Sequence, residues 1–222
     1  SYDLEEQEQL EELKTWWKMH GNLVTAVVTA AALVALAWQG WNWWQRSQSA
    51  QASAVYGSLQ LAAGQKDSKR AKEAAGELID KFAGTPYAGF GTLIAAKVLM
   101  EGGDPKSAQA QLTWAAANAK DEAVRDLARL RLAAILIDDK AYDQALQQLA
   151  GEPRPAYVPR FNEMRGDILV AQGKSAEARA AYKTALDKLE ESSHDLSEAE
   201  AARREPYRDM VQLKLDALGE AK

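Results

Sequence analysis

Residues 166–186 read GDILVAQGKSAEARAAYKTAL, and Gly166, Leu169, Gly173, Ala178 and Tyr182 stand in them at successive offsets of 3, 4, 5 and 4. The same offsets recur twice upstream, through Ala96, Leu99, Gly103, Ala108 and Leu112, and through Ala133, Leu136, Lys140, Ala145 and Leu149. The three units begin 37 and then 33 residues apart. A repeat of this length, rich in helix formers, is a helix, a turn and a second helix. Small residues at the first and fourth positions let two antiparallel helices cross closely, and the larger residue at the fifth fills the space beside the crossing. The third position falls at the turn, where glycine takes a positive φ and ends the first helix. Lys140 holds that place in the middle unit, so its turn is expected to close differently.

These residues resemble the tetratricopeptide repeat, with the best match in the last unit, where Ala185 and Leu186 extend it. An earlier, degenerate unit covers residues 50–86, with Ala74 and Leu78 in its second helix and Pro86 where the pattern often has proline. Its first helix fits the pattern poorly. Residues 187–205 (DKLEESSHDLSEAEAARRE) depart from the repeat and read as a solvated helix or linker. Pro206 then opens PYRDMVQLKLDALG, in which Tyr207, Met210, Val211, Lys214 and Leu218 mark an amphipathic helix. Helical arrays need such a cap over their open apolar end. The fold expected is all-α: an α-solenoid of about four hairpins, closed by a C-terminal capping helix.

The N-terminal part has a different character. Between Lys18 and Arg46 lie 27 residues without a formal charge, and their centre, Leu23 to Trp38, reads LVTAVVTAAALVALAW. As a helix rising about 1.5 Å per residue, that stretch reaches roughly 40 Å, against a hydrocarbon core of about 30 Å. Trp16 and Trp17 precede the apolar run, and Trp38, Trp41, Trp43 and Trp44 follow it. An indole, with an apolar body and one N–H donor, settles where lipid tails meet headgroups. A single transmembrane helix therefore follows an amphipathic segment that carries Leu10, Leu13 and Trp17 on one face, with Gly21-Asn22 read as a bend. The rival is a cleaved signal peptide, since Ala35-Leu36-Ala37 has the form a signal peptidase accepts. The six acids and two lysines in the preceding stretch make a poor leader, however. The domains expected are residues 1–20 (amphipathic), 21–46 (membrane-spanning) and 47–222 (repeats). Lys14 and Lys18 before the span, against Arg46 alone just after it, favour a cytoplasmic N-terminus,.

Composition narrows the chemistry. The chain has no cysteine, so thiol catalysis, thiolate metal sites and disulfides drop out,. Its two histidines, His20 and His194, lie far apart, and no glycine-rich phosphate loop is present,. Net charge is −5; beyond residue 46 there remain 24 basic and 26 acidic residues, a balance that gives no pull towards nucleic acid,. No enzyme, cofactor or small-molecule substrate is expected; a scaffold that binds proteins is.

The order of features, with LKTWWKMHGN joined to the span and degenerate repeats after it, resembles the YfgM-like ancillary subunits of the SecYEG translocon. That resemblance implies a protein of the bacterial inner membrane, with its repeats in the periplasm. It also implies the SecYEG translocon and a membrane-anchored periplasmic chaperone as partners, in the traffic or folding of exported proteins. A scaffold for another envelope complex, serving cytochrome maturation or outer-membrane assembly, is the alternative. In tetratricopeptide arrays the first helix of each hairpin lines the concave face. Alignment on the small residue then gives a candidate partner groove of Phe90, Leu93, Lys97 and Met100, next Leu127, Leu130, Ala134 and Ile137, and last Arg160, Glu163, Asp167 and Val170. The apolar members either line an open groove or pack inside the superhelix.

Overall fold

The computed structural model describes residues 2–194 and 196–219, with side chains from Glu8 onward. The acids before Glu8 in the amphipathic segment, and Asp195 in the charge-rich stretch, lie outside the described side chains. The regular structure among the described residues is all helical, without strand, and the chain divides into two compact units, Ser1–Ala50 and Gln51–Lys222. Helix α1 covers Tyr2–Gly64 and supplies residues to both. Gly21 and Asn22 are helical, so the expected bend is absent. The small residue at 21 serves another purpose: a Cβ there would press on the Trp17 indole at 3.1 Å.

Four hairpins make up the second unit. They pair the end of α1 with α2 (Ser68–Phe82), α3 (Pro86–Glu101) with α4 (Pro105–Asn118), α5 (Glu122–Asp138) with α6 (Tyr142–Gln148), and α7 (Val158–Ala171) with α8 (Ser175–Glu191). Helix α9 (Glu198–Asp216) follows. Asp67, Asp104 and Asp121 start α2, α4 and α5 by accepting backbone N–H groups from Arg70, Ser107 and Ala123. Each satisfies a donor that the helix itself leaves orphaned. Pro86 and Pro105 sit in the first turns of α3 and α4, where a missing N–H costs nothing,.

All four first helices end alike. The N–H groups of Asp67, Asp104, Ala141 and Lys174 donate to the carbonyls of Ala62, Leu99, Leu136 and Leu169. The residue before each donor has a positive φ: Lys66 at 54°, Gly103 at 79°, Lys140 at 58° and Gly173 at 77°. This is one Schellman-type stop repeated four times. The expectation of a different turn at Lys140 is thus corrected, because the lysine takes the glycine's conformation and closes the same hydrogen bonds.

The crossing positions are buried as the spacing requires. Ala108, Ala145 and Ala178 are fully buried, as are Leu149 and, nearly, Ala96, Leu112 and Tyr182. Ala71 is their counterpart in the first hairpin, preceded by Leu59 and Ala62 and followed by Ala75 at the same offsets. The first unit therefore sits three residues earlier than the Ala74–Leu78 reading placed it. Its crossing also inverts the sizes, with leucine at the first position and alanine at the fifth.

One continuous core runs from Ala52 to Ile168, and a smaller one joins Ala178, Tyr182 and Ala185 of α8 to Val211 of α9. Tyr207, Met210 and Leu218 pack against the latter, so α9 covers the end of the array. It starts at Glu198, eight residues before Pro206, and Glu200 reaches back to the Ser197 N–H at 3.0 Å to cap it,. Most of the charge-rich stretch is thus the end of α8 and the start of α9, and the proline lies inside the helix.

Candidate interaction surfaces

Two features present surface in need of a partner. The first is the apolar part of α1, the described helix long and apolar enough to cross a membrane. Its side chains are exposed along nearly the whole run, Leu23 by 66 % and Val34 by 69 %, with Val24 half-buried, and the six tryptophans flanking the run are exposed too. An unburied apolar helix of this length is unfavourable in water and stable in lipid. From Trp17 to Trp38 the helix rises roughly 31 Å at about 1.5 Å per residue,. The two aromatic clusters are therefore spaced as the two interfaces of a bilayer. Trp41 and Trp44 lie against each other at 5.3 Å, while Trp16 stacks on His20 at 5.4 Å.

The second feature is the inner face of the first helices, where the structure divides the expected groove. On α3, Phe90 and Met100 are each 40 % exposed and Lys97 is exposed, whereas Leu93 belongs to the core. On α5, Leu130 is buried, Leu127 and Ile137 are half-buried against the core, and only Ala134 is open. Leu93 and Leu130 belong to the core that holds the superhelix together, although Leu93 keeps a small edge on a cleft of the inner face.

On α7 the three charged residues are brought together under α9. Glu163 is 1 % exposed, and Lys214 Nζ reaches its Oε1 at 2.5 Å and Asp167 Oδ2 at 2.7 Å. Arg160 pairs with the same Glu163 carboxylate and lies over the Tyr207 ring. The hydroxyls of Tyr207 and Tyr182 donate to Glu163 at 3.3 Å and to Asp167 at 2.7 Å. Two cations and two carboxylates thus balance where one carboxylate is buried, as a buried charge requires. Burial pushes both tyrosine pKa values up, and the neighbouring carboxylates push them further. Burial opposes the charge on Lys214, but its hydrogen bonds to Asp167 and Glu163 outweigh this and hold its pKa above the usual lysine value. Val170 remains exposed beyond this network.

The open part of the inner face lies on α1, α3 and α5. A cleft of about 360 Å³ is lined by Tyr56, Phe90, Leu93, Ile94 and Arg131, among others, and one of about 320 Å³ by Met100, Ala134, Ile135 and Asp138, among others. Lys97, Glu101 and Arg131 line both. Sequence spacing missed Arg131, which faces the groove from between the marked positions of α5. It missed Tyr56 because the first helix of the first unit fits the repeat poorly and was given no groove positions.

A membrane span joined to an array of helical hairpins with an exposed inner face defines a membrane-anchored repeat scaffold. Comparison with known proteins agrees: residues 14–220 match the family model described as a tetratricopeptide repeat-like domain. An ancillary SecYEG translocon subunit of Neisseria gonorrhoeae is 30 % identical over 216 residues, covering 97 % of this chain and 98 % of that protein. Proteins of the same name from Haemophilus influenzae and Escherichia coli are 30 % and 26 % identical, over 83 % and 82 % of this chain and 90 % and 87 % of their own lengths. The chain belongs to this family of YfgM-like ancillary translocon subunits with a tetratricopeptide repeat-like domain. The exposed span and the relatives' name fit a protein of the inner membrane.

Proposed function

We propose that this chain is a non-catalytic scaffold, anchored in the inner membrane beside the Sec translocon, whose repeat region binds proteins engaged in export. The observation that carries the reading is the likeness to translocon subunits over 97 % of the chain, so that it includes both span and repeats. Lys14 and Lys18 before the span, against Arg46 after it, support a cytoplasmic N-terminus and a periplasmic repeat domain,. In that compartment a membrane-bound chaperone is the natural second partner. Tethering it and an emerging chain to one channel raises the local concentration of each. The reading further assigns residues 1–20 to an interfacial segment, 21–46 to the span and 47–222 to the repeats.

Co-purification of the full chain in mild detergent tests this. The translocon subunits should be recovered with it, together with a membrane-anchored chaperone. Recovery of a different envelope complex in their place would overturn the reading in favour of a scaffold for that complex.

A further inference from the structure

Leu61 is 71 % exposed, although the place it holds is a core position in every later hairpin. It stands two residues after Leu59, as Val98, Ile135 and Ile168 stand two after Ala96, Ala133 and Gly166. Those three are 6 %, 6 % and 0 % exposed. Hydrogen bonds show what covers this face in the second hairpin. Ser68 of α2 donates to the Val98 carbonyl at 3.4 Å, and Lys72 of α2 donates to Ser107 of α4 at 2.7 Å. It is the face that a hairpin turns towards the hairpin before it. The first hairpin has no predecessor among the described residues, and a cleft of about 440 Å³ lies open there between α1 and α2.

The cleft has an apolar floor of Val55, Leu61, Ala62 and Ala74. Its charges, Arg70, Glu73 and Glu77, all come from α2, whereas Ser58 and Gln65 on the α1 side are uncharged. A helical array left open at one end needs a cap. At the other end α9 supplies one, through Tyr207, Met210 and Leu218. Head-to-tail stacking of two copies is thereby blocked, since it needs both ends open and would build a filament. Joining two open ends about a two-fold axis closes at two copies. With that axis along the helices, α1 of one copy lies beside α2 of the other, as in a four-helix bundle. The charged α2 side then meets the uncharged α1 side, so no like charges are opposed. Ser58 and Gln65 supply hydrogen-bonding groups to Arg70 and Glu73 across the joint.

We propose that the open end of the array is the interface of a homodimer, in which Leu61 of each copy packs against Ala74 of the other.

Light scattering after size-exclusion chromatography of the full chain in detergent tests this by measuring its protein mass. The unaltered chain should carry the mass of two copies. Leu61→Glu buries an unpaired carboxylate in the joint and should weaken pairing by roughly ten-fold or more, giving one copy. Its helical circular dichroism should not change, because Leu61 is exposed in a single copy. Leu213→Glu, at an equally open site on α9, should stay at two copies. A mass of one copy for the unaltered chain overturns the proposal. Two copies persisting in Leu61→Glu would place the pairing in the span and overturn it equally. A complex with a different protein, extracted from membranes in place of the dimer and lost in Leu61→Glu, would assign the open end to that partner and remove the second copy.

Discussion

Gly166 and Tyr182 are fitted to each other: a Cβ on Gly166 would run into the Tyr182 ring, which is itself nearly fully buried. In the two hairpins before it the same positions hold alanine and leucine, as Ala96 with Leu112 and Ala133 with Leu149. Gly166→Ala alone should cost about 1–3 kcal/mol through overpacking. For a chain of this size that lowers the melting temperature by roughly 2–4 °C per kcal/mol. Adding Tyr182→Leu restores the pairing of the earlier hairpins, so the double variant should be more stable than the sum of the single costs. Strict additivity, measured by circular dichroism on the chain in detergent, would mean that the two residues do not share one crossing.

Lys214 should act as the clasp of α9. Replacing it by methionine leaves Glu163 buried with Arg160 as its remaining cation, at a cost of about 2–3 kcal/mol, below the usual range for a broken buried pair. Hydrogen exchange should speed up in α9 and leave α3 and α5 unchanged. The clasp also has a pH signature. Lys214, Tyr182 and Tyr207 all hold their protons more tightly folded than unfolded. Their stabilisation is therefore complete below about pH 10, where the free groups titrate, and is lost as pH rises through the folded-state values. Protection of α9 should fall on the alkaline side, and Lys214→Met should flatten that fall. An unchanged alkaline limb would contradict the assignment.

How far the sequence could be read depended on the kind of signal each feature leaves. Small and large residues at fixed offsets betray a helix crossing directly, so the last three hairpins were legible; α9 showed through its amphipathic spacing after Pro206, while its start at Glu198 did not,. The turn at Lys140 was not, because a lysine in the left-handed region has no compositional mark. The first hairpin was misplaced because α1 runs unbroken through Gly40 and Gly57 to Gly64, so nothing marks where the array begins, and its crossing holds leucine and alanine in reversed places. Glu163 read as part of a charged groove since its main cation, Lys214, stands 51 residues away. Leu93 and Leu130 matched the inner-face register, but neighbouring helices bury part of that register and leave part open, and spacing alone does not mark which.

Two lysines hold conformations that glycine would adopt freely, Lys66 and Lys140. Lys140→Gly should stabilise the chain by about 0.5–1 kcal/mol, the relief of a side chain in the left-handed region less the added freedom of the unfolded chain. Gly173→Ala should cost about 1 kcal/mol for the same reason in reverse. Urea unfolding of both variants checks the pair, and equal signs for the two changes would refute the shared turn.

Leu130 and Phe90 should separate core from surface. Leu130→Ala, inside the core, should cost about 2–5 kcal/mol. Phe90→Ser, at a half-open position, should cost clearly less. A larger thermal shift for Phe90→Ser than for Leu130→Ala would mean that the inner face is closed.

The span should hold the N-terminus and the repeat array on opposite sides of the membrane. Protease added to intact spheroplasts tests it most directly. With the N-terminus in the cytoplasm, residues beyond about 50 should be digested and a short fragment carrying the span should survive in the membrane. Full protection of the repeats, while another outer-face protein in the same cells is cut, would contradict the account.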